Sequence, residues 1–206
     1  MCFDDSVTTI DESELRRACD VGDYRTATTL AIERYGPEIF GVLAARLRSD
    51  ADAADVFSLF AESLWRGLPG FQWRSTLRAW AYRIARNATV RWAMSSDRKP
   101  ERNVPMEGAG IFELAERVRS STLAHLRTDV KSEVRRLREE LPEADQMLLI
   151  LRVDKDLEWD EVAAALVDDD LPADELKREA ARLRKRFQLV TEKLRSLARE
   201  RGILDR

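Results

Sequence analysis

Apolar residues recur along this chain at every third or fourth position, and runs of β-branched residues are scarce. That spacing predicts helix over residues 14–48, 52–67, 75–93, 123–141, 142–153, 159–166 and 173–201. Gly36 and Pro37 mark a break or a new start inside the first stretch, and Leu68, Pro69 and Gly70 close the second. Residues 95–110 differ: Pro100, Pro105, Gly108 and Gly110 stand among mixed charges, and helical pattern returns only weakly near Ile111. The expected fold is therefore all-α, with two small helical domains on a tether. Residues 1–23 would be an acidic extension, 24–94 the first domain, 95–122 a flexible linker and 123–206 the second domain.

Three of these helices carry more than a core face. In residues 55–65, Val56, Phe57, Leu59, Phe60, Ala61, Leu64 and Trp65 span an arc of roughly 240°, where a surface helix needs little more than about 100°. The surplus implies either a second partner or a central helix enclosed by its own bundle. In residues 77–93, Leu77, Ala81, Ile84, Ala85, Ala88 and Trp92 form one stripe, and Arg83, Arg86 and Asn87 point away from it. Arg78 and Arg91 flank the stripe, Trp80 sits at its edge, and Phe71, Trp73 and Arg74 precede it. Arginines beside aromatic rings suit single-stranded DNA, where each stacked base is worth about 1–3 kcal/mol. A solvated arginine face over core tryptophans gives the same pattern.

The last helix is the most regular. Leu176, Ala180, Leu183, Phe187, Val190, Leu194 and Leu197 alternate steps of four and three, opposite Lys177, Arg178, Arg182, Lys185 and Arg186, with Arg184 bordering the stripe. Before it, Trp159, Val162, Ala163 and Leu166 make a short apolar face. A short helix, a turn and a longer basic helix outline a helix-turn-helix, whose second helix enters the major groove. A coiled-coil or bundle helix with a basic exterior is the alternative.

Charge sharpens this picture. The net charge of −3 hides a segregation: residues 74–102 hold eight Lys/Arg against two acids, and residues 177–201 ten against three. Between them, residues 154–175 hold ten acids and one lysine. Two separate basic surfaces suit phosphate neutralisation, which is local. Other chemistries find little support. No apolar run reaches the roughly 18 residues of a membrane span. Residues 1–14 lack the character of a secretion signal, so Cys2 and Cys19 are expected as reduced thiols in a cytoplasm. One histidine, His125, and two scattered cysteines make no typical zinc site. With no Gly-rich phosphate loop either, neither an enzyme nor a cofactor is expected.

Residues 52–56, beginning Asp52-Ala53-Ala54-Asp55, then Leu64-Trp65-Arg66-Gly67-Leu68-Pro69-Gly70-Phe71 and Leu77-Arg78-Ala79-Trp80-Ala81-Tyr82-Arg83-Ile84-Ala85-Arg86-Asn87, resemble region 2 of the extracytoplasmic-function (ECF) sigma factors. The C-terminal half resembles region 4 through Leu141-Pro142-Glu143, Leu149-Ile150-Leu151-Arg152-Val153, residues 157–163 and Arg182-Leu183-Arg184-Lys185-Arg186-Phe187. Together the resemblance covers roughly residues 24–93 and 130–197.

The resemblance implies a transcription initiation factor with no catalytic site of its own, working in the cytoplasm and joining the nucleoid within the holoenzyme. Asp55, Phe57, Leu59, Phe60, Leu64 and Trp65 would dock on the β′ clamp helices of core RNA polymerase, with the β flap as a further contact. Phe71, Trp73, Arg74, Arg78, Trp80, Arg83, Arg86 and Asn87 would hold the melted minus-ten strand of promoter DNA. Lys177, Arg178, Arg182, Arg184, Lys185 and Arg186 would read the minus-thirty-five duplex. Family likeness also suggests an anti-sigma factor as a partner. A stand-alone helix-turn-helix regulator and a sigma-like scaffold without DNA contacts are the competing functions. Three departures stand out. Ser58-Leu59 replace a usual Gln-Glu, and Glu158 stands where a Ser or Thr cap is common. About three extra residues lengthen an acidic turn between Leu166 and Leu176, where carboxylates favour the helix dipole by only ~0.3–1 kcal/mol each.

Overall fold

The computed structural model describes residues 12–95, 109–126, 133–168 and 170–203, and these contain helices and turns but no strand. They divide into two compact units. One comprises Met1–Trp73 with Ile84–Arg127, the other Arg74–Arg83 with Thr128–Arg206.

The first unit is a bundle of α1 (Glu12–Asp20), α2 (Tyr24–Leu47), α3 (Asp50–Gly67) and α5 (Ala109–Leu126), with the later turns of α4 (Leu77–Met94). Its helices start where local chemistry supplies an acceptor for orphaned amides. Asp23 Oδ1 accepts the Thr26 N–H at 3.1 Å to open α2, and Ser49 Oγ accepts the Asp52 N–H at 3.2 Å to open α3. A 3-10 turn, Leu68–Gly70, ends α3 at Pro69.

Three expectations are revised here. Pro37 does not break α2, which runs on to Leu47. An interior proline costs about 3 kcal/mol in a helix. Here Pro37 lies at the exposed surface, while Ile32, Tyr35, Ile39, Phe40 and Leu43 are buried around it and offset that cost. Gly36 serves close packing: a Cβ there would lie 3.0 Å from Val118 Cγ1 and 3.3 Å from Phe57 Cζ.

The acidic extension proposed for residues 1–23 contains α1, whose Leu15 and Ala18 are buried as it packs on α2. The linker proposed for residues 95–122 contains most of α5, which packs on both α2 and α3. Ile111, Leu114, Ala115 and Val118 recur at helical spacing, but only four positions carry the signal, directly after the Pro- and Gly-containing stretch. Residues 96–108 of that linker lie outside the described residues.

Helix α5 also resolves the surplus apolar arc of α3. Val56, Phe57, Phe60, Ala61 and Leu64 are all buried, with α2 and α5 both packed on α3. Phe57 is the hub: its ring meets Phe40 edge-on and stacks on Phe60, both at 5.4 Å between centroids.

The second unit holds α6 (Glu133–Glu139), α7 (Glu143–Leu149), α8 (Trp159–Leu166) and α9 (Ala173–Glu200), together with the first turns of α4. The helix expected over residues 123–141 is not described as one piece, because residues 127–132 lie outside the described residues. A π-helical turn, Ile150–Asp154, extends α7, and the Asp154 carboxylate accepts from Arg138 at 2.7 Å.

Helix α9 lies against α6, α7 and α8. Leu141, Leu149 and Val190 form a small core with Phe187 and Leu194 against it. Phe187, Val190 and Leu194 of the α9 stripe are thus used within the unit. Trp159 meets Phe187 edge-on at 5.4 Å, with the guanidiniums of Arg152 and Arg184 over its ring. The missing hydroxyl cap at Glu158 is compensated, because Glu161 Oε2 accepts the Glu158 N–H at 3.0 Å.

Candidate nucleic-acid interface

Phe71 and Trp73 stand on the irregular stretch between the 3-10 turn and α4. Their rings pack at 4.9 Å, tilted by 54°. Trp73 has φ +56, a left-handed backbone that a bulky residue rarely adopts. Such conformations cost about 1–3 kcal/mol and cluster where function requires them. The Arg16 guanidinium, from α1, lies 5.0 Å from the Trp73 ring centroid. Both rings are half-buried, so an aromatic surface remains available beside a cation.

Helix α4 begins at a cap formed by Thr76, whose Oγ1 accepts the Ala79 N–H at 3.2 Å. The same hydroxyl donates to Glu161 Oε1 at 2.7 Å, within the second unit. The arginines that follow are not equivalent. Arg74 is exposed and lines an open hollow of about 540 Å³ with Asp160, Leu171, Pro172, Ala173, Leu176 and Lys177. Arg78 donates to the Lys155 carbonyl at 2.8 Å. Arg86 is half-buried and donates to Asn87 Oδ1 at 3.3 Å. Arg91 is exposed and donates to Ser63 Oγ at 2.8 Å, tying the end of α4 to α3.

Two expected strand contacts are corrected. Arg83 is only 7% exposed, and its guanidinium donates to Asp170 Oδ1 at 2.5 Å, so it does not stand on a solvated face. Trp80 is buried as well. Periodicity misplaces both because Ala79 and Tyr82 are buried too, so the covered arc of α4 is wider than its apolar stripe.

The set on α3 that was expected to face polymerase divides the same way. Phe57, Phe60 and Leu64 are core residues, fully covered, and cannot be presented to another protein. Asp55, Leu59 and Trp65 remain half-buried at the surface. The sequence pattern marks all six as apolar or flanking. The positions of α2 and α5 separate core from surface.

On α9, Lys177, Arg178, Arg182 and Lys185 are exposed, with Arg182 paired to Glu179 at 3.1 Å within the helix. Arg184 lies over Trp159, and Arg186 bonds Asp145 at 2.6 Å. The last two thus brace the unit as well as carrying charge. Arg16 was missed by sequence reasoning. It falls within the helix expected over residues 14–48, but nothing local in the sequence shows that its side chain meets Trp73.

Residues 31–99 match the family model for sigma-70 region 2. That segment contains α3, Phe71, Trp73 and α4. Over those residues the chain is similar to sigma-70 factors. A curated relative, the RNA polymerase sigma-H factor of Pseudomonas aeruginosa, is 28% identical over 149 residues, covering 70% of this chain and 77% of the relative. No solved structure matches. Among the described residues no helix is long and apolar enough to cross a membrane.

Proposed function

We propose that this protein is a sigma factor of the ECF kind, which binds core RNA polymerase, recognises promoters and captures the melted minus-ten strand chiefly on Phe71 and Trp73. The pair carries the reading: two half-buried rings in contact, held by a left-handed backbone, inside the segment that matches region 2. Unstacked bases gain about 1–3 kcal/mol each on such rings, which compensates part of the cost of opening the duplex. Arg74, Arg78, Arg86 and Asn87 would steady the backbone of the same strand.

Asp55, Leu59 and Trp65 are the surface through which α3 would dock on the β′ clamp helices. Helices α8 and α9 would form the helix-turn-helix for the minus-thirty-five duplex, with Lys177 and Arg178 nearest the bases and the β flap as its seat. The protein would need no catalytic site, since polymerase performs the chemistry. It would work in the cytoplasm, joining the nucleoid only in holoenzyme, and an anti-sigma factor would hold it when idle. For the domain scheme, α1 and α5 belong with the first domain, which shortens the proposed linker.

The test is transcription from sheared genomic DNA of the source organism with purified core enzyme and this protein, mapping start sites by sequencing. Start sites sharing one minus-ten and one minus-thirty-five sequence support the reading. Absence of any complex with core enzyme in a sizing experiment overturns it.

A further inference from the structure

We infer that Arg16, on α1, is a positioning residue for the melted strand, acting through Trp73. The inference rests on the strand-capture reading above. Three observations carry it. The Arg16 guanidinium lies 5.0 Å from the Trp73 ring centroid. Trp73 is held at φ +56, so its backbone is in a rarely populated state that neighbours must maintain. Helix α1 is itself anchored, since Leu15, next to Arg16 in sequence, is fully buried and Ala18 is nearly so.

Among the described residues, the Trp73 ring meets Phe71 from its own loop and Arg16 from a separate helix. An unrestrained indole loses rotamer freedom when a base stacks on it. One already held against a cation loses less, and preorganisation of this kind strengthens binding without adding contacts. Arginine suits the task because its planar guanidinium stacks on aromatic faces while remaining charged. Arg16 is exposed, so its charge also adds to the field that a strand meets on approach. It precedes the segment that matches region 2, which begins at residue 31. The role therefore belongs to a helix outside the matched segment.

The experiment compares wild type, Arg16→Gln and Arg16→Lys, each assembled with core polymerase. The probe is a fluorescein-labelled, 12-nucleotide non-template strand from the strongest promoter mapped as above. A second readout is ¹⁹F NMR of the full chain labelled with 5-fluorotryptophan, the Trp73 signal being assigned with Trp73→Phe. Arg16→Gln is expected to weaken strand binding about three- to tenfold and to shift the Trp73 resonance alone. Arg16→Lys, which keeps the cation, is expected to recover most of the affinity. Unchanged binding and an unchanged Trp73 signal in Arg16→Gln overturn this inference alone. A wild-type protein that joins core enzyme but does not hold the strand overturns the strand-capture reading along with it.

Discussion

The guanidinium of Arg83 and the carboxylate of Asp170 meet at 2.5 Å, the arginine side chain 8% exposed and the aspartate 31%. Both belong to the second unit. Removing one partner of a fully buried pair costs about 3–5 kcal/mol, because the other charge is left desolvated. Asp170 keeps some contact with water, so a smaller figure applies. Arg83→Ala and Asp170→Ala should each lower stability, and urea denaturation of the two single variants and the double variant should give a coupling of about 1–3 kcal/mol. A coupling near zero would show that the pair does not hold in solution.

The acidic turn that bears Asp170 shows how far the sequence could be read. Its charge is visible, and so is the basic helix after it. Pairing with Arg83 is not, because the two residues are 87 positions apart and nothing local links them. Helices α3, α8 and α9 are legible because their apolar spacing is long or their ends are well marked. The path of α2 through Pro37 is not, since its continuation depends on what is buried around it rather than on propensity. The site divides similarly. Phe71 and Trp73 stand out as aromatic residues beside arginines, whereas Trp73's backbone and Arg16's position over it are products of tertiary structure.

Helix α3 allows core and surface roles to be separated. Phe57 touches Phe40 and Phe60 and is 1% exposed, so Phe57→Ala should cost about 3–5 kcal/mol. Leu59 is half-buried at the surface, and Leu59→Ala should cost far less. If α3 docks on polymerase, Leu59→Ala and Trp65→Ala should lower affinity for core enzyme while their melting temperatures stay near wild type. Thermal denaturation alongside a sizing assay with core enzyme measures both quantities. Loss of stability in Leu59→Ala equal to that in Phe57→Ala would place Leu59 in the core instead.

At the start of α2, hydrogen bonds from the Thr26 side chain and backbone, helped by Arg25, hold the Asp23 carboxyl below its ordinary value. A carboxylate lowered in the folded state stabilises at pH above its unfolded value, and that contribution disappears as pH falls through the folded value. The stability gap between wild type and Asp23→Ala should therefore be constant near neutrality and shrink below about pH 4. Asp23→Asn, which keeps an acceptor for Thr26 but cannot titrate, should show a flatter acid limb. Urea midpoints measured from pH 2.5 to 6 decide this. A gap that grows on acidification would contradict the cap assignment.

On the proposed reading of α9 as the helix that meets the minus-thirty-five duplex, its surface makes the most direct prediction about promoter choice. Lys177 and Arg178 are exposed on the first turns of the helix, after Asp174 and Glu175, whose carboxylates would repel phosphate. Lys185 is exposed two turns later, and Arg186 there is drawn to Asp145. A side chain reading a base edge is worth about 1–3 kcal/mol of discrimination, whereas one holding phosphate affects all sequences alike. Lys177→Gln and Arg178→Gln should therefore narrow the difference between the preferred minus-thirty-five sequence and a scrambled one by about tenfold or more. Lys185→Gln should weaken both equally and reduce the salt slope by about 0.9. Run-off transcription on paired templates over a salt series measures both effects. Unchanged preference in both N-terminal variants would mean that the acidic turn keeps this end of α9 out of the groove.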